Sequence, residues 1–444
     1  MMWNTQKEGK VRYIVLMLIV LVGFMSFGQG VDQEEALDFI DAPNVPLTLG
    51  IDTEGLVRQS GVGVVGDFNN DGRADIVELI LFPFSSPPFD QEGNDVVVTF
   101  LSERNGGFKA PIYSPIGKGS YASDSIAVGD FDEDGSLDVA VGSSGLGEAD
   151  PRVYVLLGDG QGHFTSQTTE PVPVGRQPTA LAPADFNEDG HLDLAVACAM
   201  SDEIYILTGS GTGALLNKFN LELEPGAHPH FLVAGDLDQD GHIDLVLANP
   251  GDDAVSVAFG DGDGRFVRGN DYHLIKRPSC LALADFNADG YLDVAATNLT
   301  KMVSLDPLSF KTYVSVLLGK DNGQFAEPTH FEISGKNPYW LIAADFNLDT
   351  HIDLVSSNYT TNDLSILLGD GQGGFQGAPC APLPVISGFP TGKNLSLGWI
   401  GAGDFNGDRY LDLAIAIFDG TVIKLSRIGG GEIKGTDGGS HEQR

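Results

Sequence analysis

The chain has 444 residues, of which 62 are acidic and 25 basic, giving a formal net charge of −37. This charge excludes nucleic acid and anionic membrane surfaces as favourable partners. Hydrophobic residues make up 42% of the chain, which excludes a disordered acidic polymer, and 58 glycines with 23 prolines predict many tight turns.

Residues 1–28 have the organisation of a targeting segment. Lys7, Lys10 and Arg12 precede an almost wholly apolar run over residues 13–27, and small residues stand near Gly28. This pattern is typical of a secretory signal peptide, and we expect cleavage after Gly28. At about 15 residues, or roughly 22 Å as a helix, the run is short for a hydrocarbon core of about 30 Å. An uncleaved membrane anchor is the alternative interpretation.

A nine-residue acidic motif recurs seven times along the rest of the chain. It fits the template D-x-[DN]-x-D-G-x-x-D, and its copies lie 49 to 63 residues apart. We number the copies acidic loops 1–7 and their residues positions 1–9. Such spacings suit four short strands with their turns, as in one blade of a β-propeller. The loops start at Asp67, Asp130, Asp185, Asp236, Asp285, Asp345 and Asp404.

One complete repeat shows the expected strands. Residues 179–185, 192–199 and 203–209 are short apolar and β-branched runs bounded by Gly, Pro or Asp, and residues 221–223 lie in a fourth strand. Glycine-rich segments after the third strands, such as 158–162, are interpreted as hairpin turns, with a minor metal site as the alternative. The sequence therefore predicts an all-β fold, a seven-bladed β-propeller of four-stranded antiparallel blades over residues 29–428.

The last repeat lacks a fourth strand. Residues 45–50 stand where a fourth strand precedes each first strand, so we predict that this N-terminal strand completes blade 7 and closes the ring. Residues 429–444 are expected to form a disordered tail. Three cysteines make no disulfide framework, and Cys198 and Cys280 are expected to be buried thiols because they lie in apolar runs.

The acidic loops carry oxygen donors at alternating positions, an arrangement that suits Ca²⁺. The predicted ligands are the side chains at positions 1, 3, 5 and 9 and the backbone carbonyl at position 7. Twenty-three carboxylates occupy these positions, and such crowding is repulsive unless a cation is bound. A metal-free Asx-turn is the alternative. The ligand positions are Asp67, Asn69, Asp71, Arg73, Asp75; Asp130, Asp132, Asp134, Ser136, Asp138; Asp185, Asn187, Asp189, His191, Asp193; Asp236, Asp238, Asp240, His242, Asp244; Asp285, Asn287, Asp289, Tyr291, Asp293; Asp345, Asn347, Asp349, His351, Asp353; and Asp404, Asn406, Asp408, Tyr410, Asp412.

Two loops depart from the template. Thr350 in loop 6 and Arg409 in loop 7 replace the glycine of position 6, where the sharp turn requires a positive φ. Loop 7 carries Gly407 at position 4, which would compensate. We therefore expect up to seven Ca²⁺ ions, with weaker binding in the loops that start at Asp345 and Asp404.

On these motifs the chain resembles the FG-GAP/VCBS repeat family, which includes the integrin α-subunit propeller and some propeller lectins. The resemblance covers nearly all of residues 29–428. It implies that each acidic loop joins the first and second strands of its blade, that Ca²⁺ lies on that lower face, and that ligands meet the opposite face.

A second repeated position lies nine residues upstream of each acidic loop, and we call it the upstream register. Six of the seven blades carry a basic residue there or close by, at the expected start of the innermost strand on the opposite face. We predict that these residues bind an anionic ligand such as a uronate, a sulfate or a carboxylate. Pairing with neighbouring carboxylates or capping of loop carbonyls is the alternative. The predicted ligand residues are Arg58, Lys118, Arg176, His228, Lys276, Lys336, Lys393 and Trp340.

The function expected from these features is an extracellular binding or adhesion module. We expect it to be a secreted, cell-surface or periplasmic monomer that binds a glycan or a protein. A structural calcium scaffold within a cell-surface assembly is the first alternative. A carbohydrate-active enzyme similar to propeller-type polysaccharide lyases is the second, with Tyr121, Asp124, His228 and His230 as its candidate residues.

Overall fold

The computed structural model describes residues 38–41, 59–81, 95–104, 106–117, 122–144, 150–166, 171–299, 311–378, 381–384, 397–417 and 420–427. The predicted signal peptide and C-terminal tail lie outside these ranges, as do Arg58, Lys118, Tyr121 and Lys393. All regular structure within the described residues is β-strand, and they include no helix long and apolar enough to cross a membrane.

The described residues form seven antiparallel sheets, each with one acidic loop, and we number the sheets as blades 1–7. Blades 1–3 contain β2 (Gln59–Gly66), β3 (Asp75–Leu81), β4 (Val96–Phe100), β5 (Ile112–Pro115); β6 (Ala122–Gly129), β7 (Asp138–Ser143), β8 (Arg152–Gly158), β9 (Phe164–Ser166), β10 (Val172–Pro173); and β11 (Pro178–Ala184), β12 (Asp193–Cys198), β13 (Glu203–Gly209), β14 (Leu215–Glu222). Blades 4 and 5 contain β15 (Phe231–Gly235), β16 (Asp244–Asn249), β17 (Ala254–Gly260), β18 (Phe266–His273); and β19 (Pro278–Ala284), β20 (Asp293–Asn298), β21 (Thr312–Leu317), β22 (Thr329–Ile333). Blades 6 and 7 contain β23 (Pro338–Ala344), β24 (Asp353–Asn358), β25 (Asp363–Gly369), β26 (Phe375–Gly377), β27 (Leu383–Pro384); and β28 (Leu397–Gly403), β29 (Asp412–Ile417), β30 (Gly420–Arg427), β1 (Asp38–Asp41).

Blades 2 and 6 have an interrupted outer strand. In blade 2, β9 pairs with the end of β8 at Gly158, whereas β10 pairs with the start of β8 at Arg152 and Val153. β26 and β27 share the edge of β25 in the same manner. Because the two short strands occupy one edge, each blade keeps four rows of strands, in agreement with the predicted four-stranded blade.

The seven blades form a closed ring. The first strands of consecutive blades contact one another in order, and β28 of blade 7 contacts β2 of blade 1. The N-terminal strand β1 pairs with β30 as the fourth strand of blade 7. The predicted closure is therefore confirmed, but the closing strand is Asp38–Asp41, and residues 45–50 lie outside the described residues. Position along the chain favoured residues 45–50, whereas the strand that joins the sheet is β1, with two aspartates among its four residues.

Apolar side chains fill the space between neighbouring blades. The residue at position 2 of every acidic loop is buried, and six of the seven are phenylalanine. Phe68 of blade 1 stacks edge-to-face on Phe164 of blade 2, and Phe186 of blade 3 does the same with Phe266 of blade 4. Acidic loops 1 and 3 are thus fixed to the adjacent blade by a buried aromatic ring, which stabilises the ring of blades. Cys198 and Cys280 are buried, as predicted.

Candidate functional site

The acidic loops share one position and one backbone conformation. Each loop joins the first and second strands of its blade, as at residues 67–75 between β2 and β3. Position 6 has a positive φ in all seven loops, and so does position 4. The residues at position 4 are Asn70, Glu133, Glu188, Gln239, Ala288, Leu348 and Gly407. The turn therefore needs two left-handed residues, of which the sequence identified only position 6.

Carboxylates order each loop through backbone amides. In loop 3, Asp185 Oδ2 accepts the N–H of Gly190 at 3.0 Å, and Asp189 Oδ1 accepts the N–H of His191 at 2.9 Å. The equivalent bonds of positions 1 and 5 are present in all seven loops. These bonds fix the orientation of the carboxylates at positions 1 and 5 within each loop.

The aspartate at position 9 is buried in every loop, with at most 1% of its surface exposed. In blade 4, Asp244 Oδ2 accepts the N–H of Leu237 at 2.9 Å, and its Oδ1 accepts the N–H of Gly260 at the end of β17, also at 2.9 Å. This residue therefore links its loop to the third strand of the blade. The sequence identified it only as a metal ligand.

Burial also changes the ionisation of position 9. Desolvation, reinforced by the neighbouring loop carboxylates, raises the pKa of Asp75 and Asp293 to about 6. The same causes raise the pKa to about 7 for Asp138, Asp193, Asp244 and Asp353. A cation in the loop would favour the ionised carboxylate and oppose this shift.

The donor set fits a hard cation in loops 2 and 4. Carboxylate oxygens of Asp130, Asp132 and Asp138 all lie within 4.8 Å of one another, as do those of Asp236, Asp238 and Asp244. Asp236 Oδ1 is buried without a hydrogen-bond partner. In loop 4 the three convergent carboxylates include this unsatisfied buried oxygen, and such oxygen donors are compatible with a hard cation such as Ca²⁺.

Loops 6 and 7 keep the same turn without its glycine. Thr350 and Arg409 both have a φ of 74°, and their N–H groups still donate to Asp345 and Asp404. A Cβ added at the equivalent Gly290 would meet no atom within 4 Å. The substitutions therefore cost backbone strain and cause no steric clash.

Some neighbouring acidic loops contact each other from position 4 of one loop to position 6 or 7 of the next. His191 Nδ1 lies 2.5 Å from Glu133 Oε1, which links loop 3 to loop 2. Gln239 Nε2 donates to the carbonyl of Gly290 at 2.8 Å, which links loop 4 to loop 5. The sequence assigned position 7 only a backbone carbonyl ligand, whereas the His191 side chain makes a contact between two loops. Its signal was present in the sequence as a glutamate at position 4 of the preceding loop.

On the opposite face, the residues nine positions upstream of the acidic loops occupy equivalent positions in blades 3, 4 and 6. The carbonyl oxygens of Arg176, Ala227 and Lys336 each accept an N–H from the turn after the second strand of the same blade, at 3.0–3.1 Å. The N–H of Arg176 donates to Ser201 Oγ, and that of Lys336 donates to Thr361 Oγ1. The spacing rule thus located structurally matching positions.

The basic side chains of this register have different surroundings. Arg176 Nη2 donates to the carbonyl of Met200 at 2.8 Å. Lys276 Nζ donates to the carbonyl of Lys311 and lies 5.8 Å from the centre of the Tyr313 ring. The exposed Lys336 ammonium has no hydrogen-bond or ion-pair partner among the described residues. Lys336 is therefore the described member best placed to meet a ligand.

Trp340 lies inside the ring. A cavity of about 570 Å³ runs between the first strands of all seven blades, and its lining is mostly aliphatic. Trp340 projects into this lining and packs edge-to-face on Phe231 of blade 4, with 5.3 Å between the ring centres. This position makes Trp340 part of the axial core.

The candidate residues for an enzyme are engaged with the backbone where the structure describes them. His228 Nδ1 lies 2.9 Å from the carbonyl of Ala199, and His230 Nδ1 lies 3.1 Å from that of Ser279. Tyr121 and the side chain of Asp124 lie outside the described residues. The two imidazoles face different blades.

Part of this chain is similar in sequence to three curated proteins. The phosphatidylinositol-glycan-specific phospholipase D of Homo sapiens is 31% identical over 191 residues, covering 41% of this chain and 18% of that protein. The Rattus norvegicus protein of the same name is 29% identical over 153 residues, covering 28% of this chain and 18% of that protein. The chain thus spans less than a fifth of the length of these relatives.

Solved structures with the same fold include two of low sequence identity. A catalytically inactive virginiamycin B lyase from Staphylococcus aureus, solved with quinupristin, has a TM-score of 0.50 at 13% identity and covers 88% of this chain and 99% of its own. BBS1N in complex with ARL6DN has a TM-score of 0.51 at 12% identity, covering 89% of this chain and 98% of its own. These similarities concern the fold alone.

A model of the FG-GAP-like repeat matches residues 67–141, 144–196, 185–247, 236–296 and 345–415. The matches cover more than half of the 444 residues and include acidic loops with the geometry described above. The chain therefore belongs to the FG-GAP-like repeat family and folds as a seven-bladed β-propeller.

Proposed function

We propose that this chain is a secreted calcium-binding propeller that acts as an extracellular binding module. Ca²⁺ occupies acidic loops on one face, and a glycan or another anionic ligand binds the opposite face. The observation that carries the proposal is the loop geometry, in which three carboxylates converge in loop 2 and again in loop 4. Mass spectrometry of the mature N-terminus tests cleavage after Gly28.

The role proposed for Ca²⁺ is to hold the turn between the two inner strands of each blade. Because the ion would bind the folded loops and not the unfolded chain, its removal lowers stability. We expect a chelator to lower the melting temperature by more than about 10 °C, as expected when several sites are lost. Recovery after addition of Ca²⁺ but not Mg²⁺ is the specific control. A melting temperature unaffected by the chelator would contradict the proposal.

The ligand proposed for the opposite face is an acidic glycan. Lys336 supplies an exposed ammonium without a partner among the described residues. In the same blade Tyr359 is 48% exposed, and its ring centre lies 6.2 Å from that of Tyr339. Exposed aromatic rings beside a cation suit an anionic sugar, since the ring stacks on the sugar and the cation pairs with its charge. The name of the phospholipase D relatives specifies phosphatidylinositol-glycan, a glycolipid whose phosphate is anionic.

The test for this ligand is binding to an array of acidic and neutral glycans. We expect the wild-type protein to select acidic glycans, and Lys336→Ala or Tyr359→Ala to reduce that binding at least about tenfold, equal to about 1.4 kcal/mol. Arg176→Ala is the matched control, because its guanidinium already bonds a backbone carbonyl. Equal losses in Lys336→Ala and Arg176→Ala would contradict the site assigned to blade 6.

A structural calcium scaffold is the second candidate function. The contacts between neighbouring acidic loops favour it, because they make the calcium face one connected surface. A protein that binds Ca²⁺ but no glycan, and that is retained on extracellular matrix only when Ca²⁺ is present, would support the scaffold over the glycan-binding module.

A further inference from the structure

Acidic loop 1 differs from the other six at position 7. Its residue is Arg73, whereas the other loops have Ser, His or Tyr there. Arg73 Nη2 donates to the carboxylate of Asp71 at position 5 and to the carbonyl of Ser102 at 3.1 Å. The side chains of Arg73 and Asp71 are only 15% and 28% exposed. A permanent positive charge is therefore held within the donor set of this loop.

The neighbouring blade explains why Arg73 turns back onto its own loop. In blade 3, His191 at position 7 reaches Glu133 at position 4 of the preceding loop. The loop that precedes loop 1 around the ring is loop 7, whose position 4 is Gly407. A Cβ added to Gly407 would lie 3.8 Å from Arg73 Cδ. Gly407 offers no carboxylate, so Arg73 pairs with Asp71.

The side chain at position 3 of loop 1, Asn69, also departs from the pattern of the other loops. At position 3 of the six other loops, the side-chain oxygen accepts the N–H of position 5 at 2.8–3.3 Å. In loop 1, neither polar atom of Asn69 has a hydrogen-bond partner among the described residues, so this side chain does not bond the position 5 amide as its counterparts do. Loop 1 thus has three carboxylates opposed by one guanidinium, whereas loop 2 has four and no cation. The electrostatic attraction for a divalent ion is correspondingly weaker in loop 1.

We propose that Arg73 is a built-in cation for acidic loop 1, so that this loop is ordered without Ca²⁺. The inference rests on the proposed calcium-binding function of the other loops. Binding of Ca²⁺ to loop 1 would require Asp71 to leave a partly buried, charge-assisted contact, and separating such a pair leaves a guanidinium without its partner. The full protein therefore binds one Ca²⁺ fewer than its acidic loops would suggest.

The test is a reciprocal exchange of position 7 between loops 1 and 2. Native mass spectrometry at a buffered, near-saturating concentration of free Ca²⁺ counts the bound ions in the wild-type protein, Arg73→Ser and Ser136→Arg. We expect Arg73→Ser to bind one ion more than the wild type and Ser136→Arg to bind one fewer. Since both exchanges use residues that already occupy this position, both variants keep the same turn.

Hydrogen exchange supplies a second measurement that does not depend on the count. We expect the Gly72 amide, which bonds Asp67, to stay protected when Ca²⁺ is chelated in the wild-type protein and to lose protection in chelated Arg73→Ser. An unchanged ion count in Arg73→Ser, with ions bound elsewhere, would overturn this inference alone. A wild-type protein that binds no Ca²⁺ would overturn the proposed function and this inference together.

Discussion

His242 Nδ1 lies 2.6 Å from Glu188 Oε1, and this contact joins acidic loop 4 to acidic loop 3. The hydrogen bond to Glu188 is the main cause of a raised pKa for His242. Gly262, in the glycine-rich turn of blade 4, packs against this pair, since an added Cβ would lie 2.4 Å from His242 Nδ1. A side chain at position 262 would therefore collide with the His242–Glu188 pair that joins blades 3 and 4. The φ of 72° at Gly262 is a second reason for glycine at this position.

His242→Ala should lower the free energy of unfolding by about 0.2–1 kcal/mol at pH 6, as expected for an exposed ion pair. His351→Ala is the matched control, because the preceding loop has Ala288 at position 4 and offers no carboxylate. Urea denaturation of both variants measures the difference. Equal effects of the two substitutions would show that the link to Glu188 contributes nothing.

The contribution of this pair should also depend on pH. A histidine whose folded pKa is raised above the unfolded value of 6.5 stabilises the fold fully below that value, and the contribution is lost as pH rises through the folded pKa. The stability difference between wild type and His242→Ala should therefore shrink when pH is raised from about 6 to 9. A difference that grows with pH would contradict the protonated pair.

Thr350→Gly should stabilise the protein by about 1 kcal/mol, because Thr350 is β-branched and has a φ of 74° that glycine adopts without strain. The same change should strengthen Ca²⁺ binding in loop 6, which is predicted to be one of the weaker sites. Gly290→Thr in loop 5 is the reciprocal control and should be destabilising by a similar amount. Chemical denaturation and site-resolved Ca²⁺ titration measure both effects.

The chelated protein should lose stability as pH rises from about 4 to about 7. The position 9 aspartates, such as Asp138 and Asp193, have a folded pKa of about 7 against an ordinary value of 3.8. A carboxyl group with a raised folded pKa favours folding while it is protonated, so that contribution disappears across this interval. Melting curves measured with chelator and with Ca²⁺ provide the comparison.

Two controls define that pH experiment. Salt at about 0.5 M screens repulsion among exposed carboxylates much more than it affects buried groups, so the loss should persist there. Saturating Ca²⁺ should flatten the pH dependence, since the ion favours the ionised carboxylates. A chelated protein whose melting temperature is constant or rises between pH 4 and 7 would contradict the role given to position 9.

Trp340→Ala should destabilise the propeller by about 3 kcal/mol, because it removes an aromatic side chain from the lining of the axial cavity and from Phe231. Acidic-glycan binding should be unchanged at a temperature where the variant remains folded. Tyr359→Ala should have the reverse profile, with stability retained and glycan binding reduced. Loss of glycan binding in folded Trp340→Ala would contradict this prediction and show that Trp340 contributes to the ligand site.

The repeated features of the fold were predictable from the sequence. Seven acidic loops gave the number of blades, and the apolar runs 179–185 and 192–199 correctly placed the acidic loop between the first and second strands. The glycine at position 6 correctly indicated a positive φ. These predictions succeeded because turn conformation and strand alternation each produce a local pattern in the amino-acid sequence. Seven copies make that pattern easy to distinguish from chance variation.

Features that depend on contacts between blades were not predictable in the same way. Glu133 and Leu348 give no local sign of a left-handed backbone, since the turn imposes it on whichever residue stands at position 4. The strand Asp38–Asp41 was missed because it has only four residues, two of them aspartates, and its place is set by pairing with β30. The cationic register was located by spacing, but only the structure distinguishes Lys336 from the carbonyl-bound Arg176.

The pairing of β1 with β30 fixes how the ring responds to force. Asp38, at the start of β1, lies opposite Arg427, at the end of β30. Tension applied to the chain before Asp38 and after Arg427 therefore acts on the same end of both strands. In this unzipping geometry the hydrogen bonds between the strands are loaded one at a time. A shear geometry would load all bonds together and resist more strongly. Blade 7 is thus the place where a stretched propeller opens first.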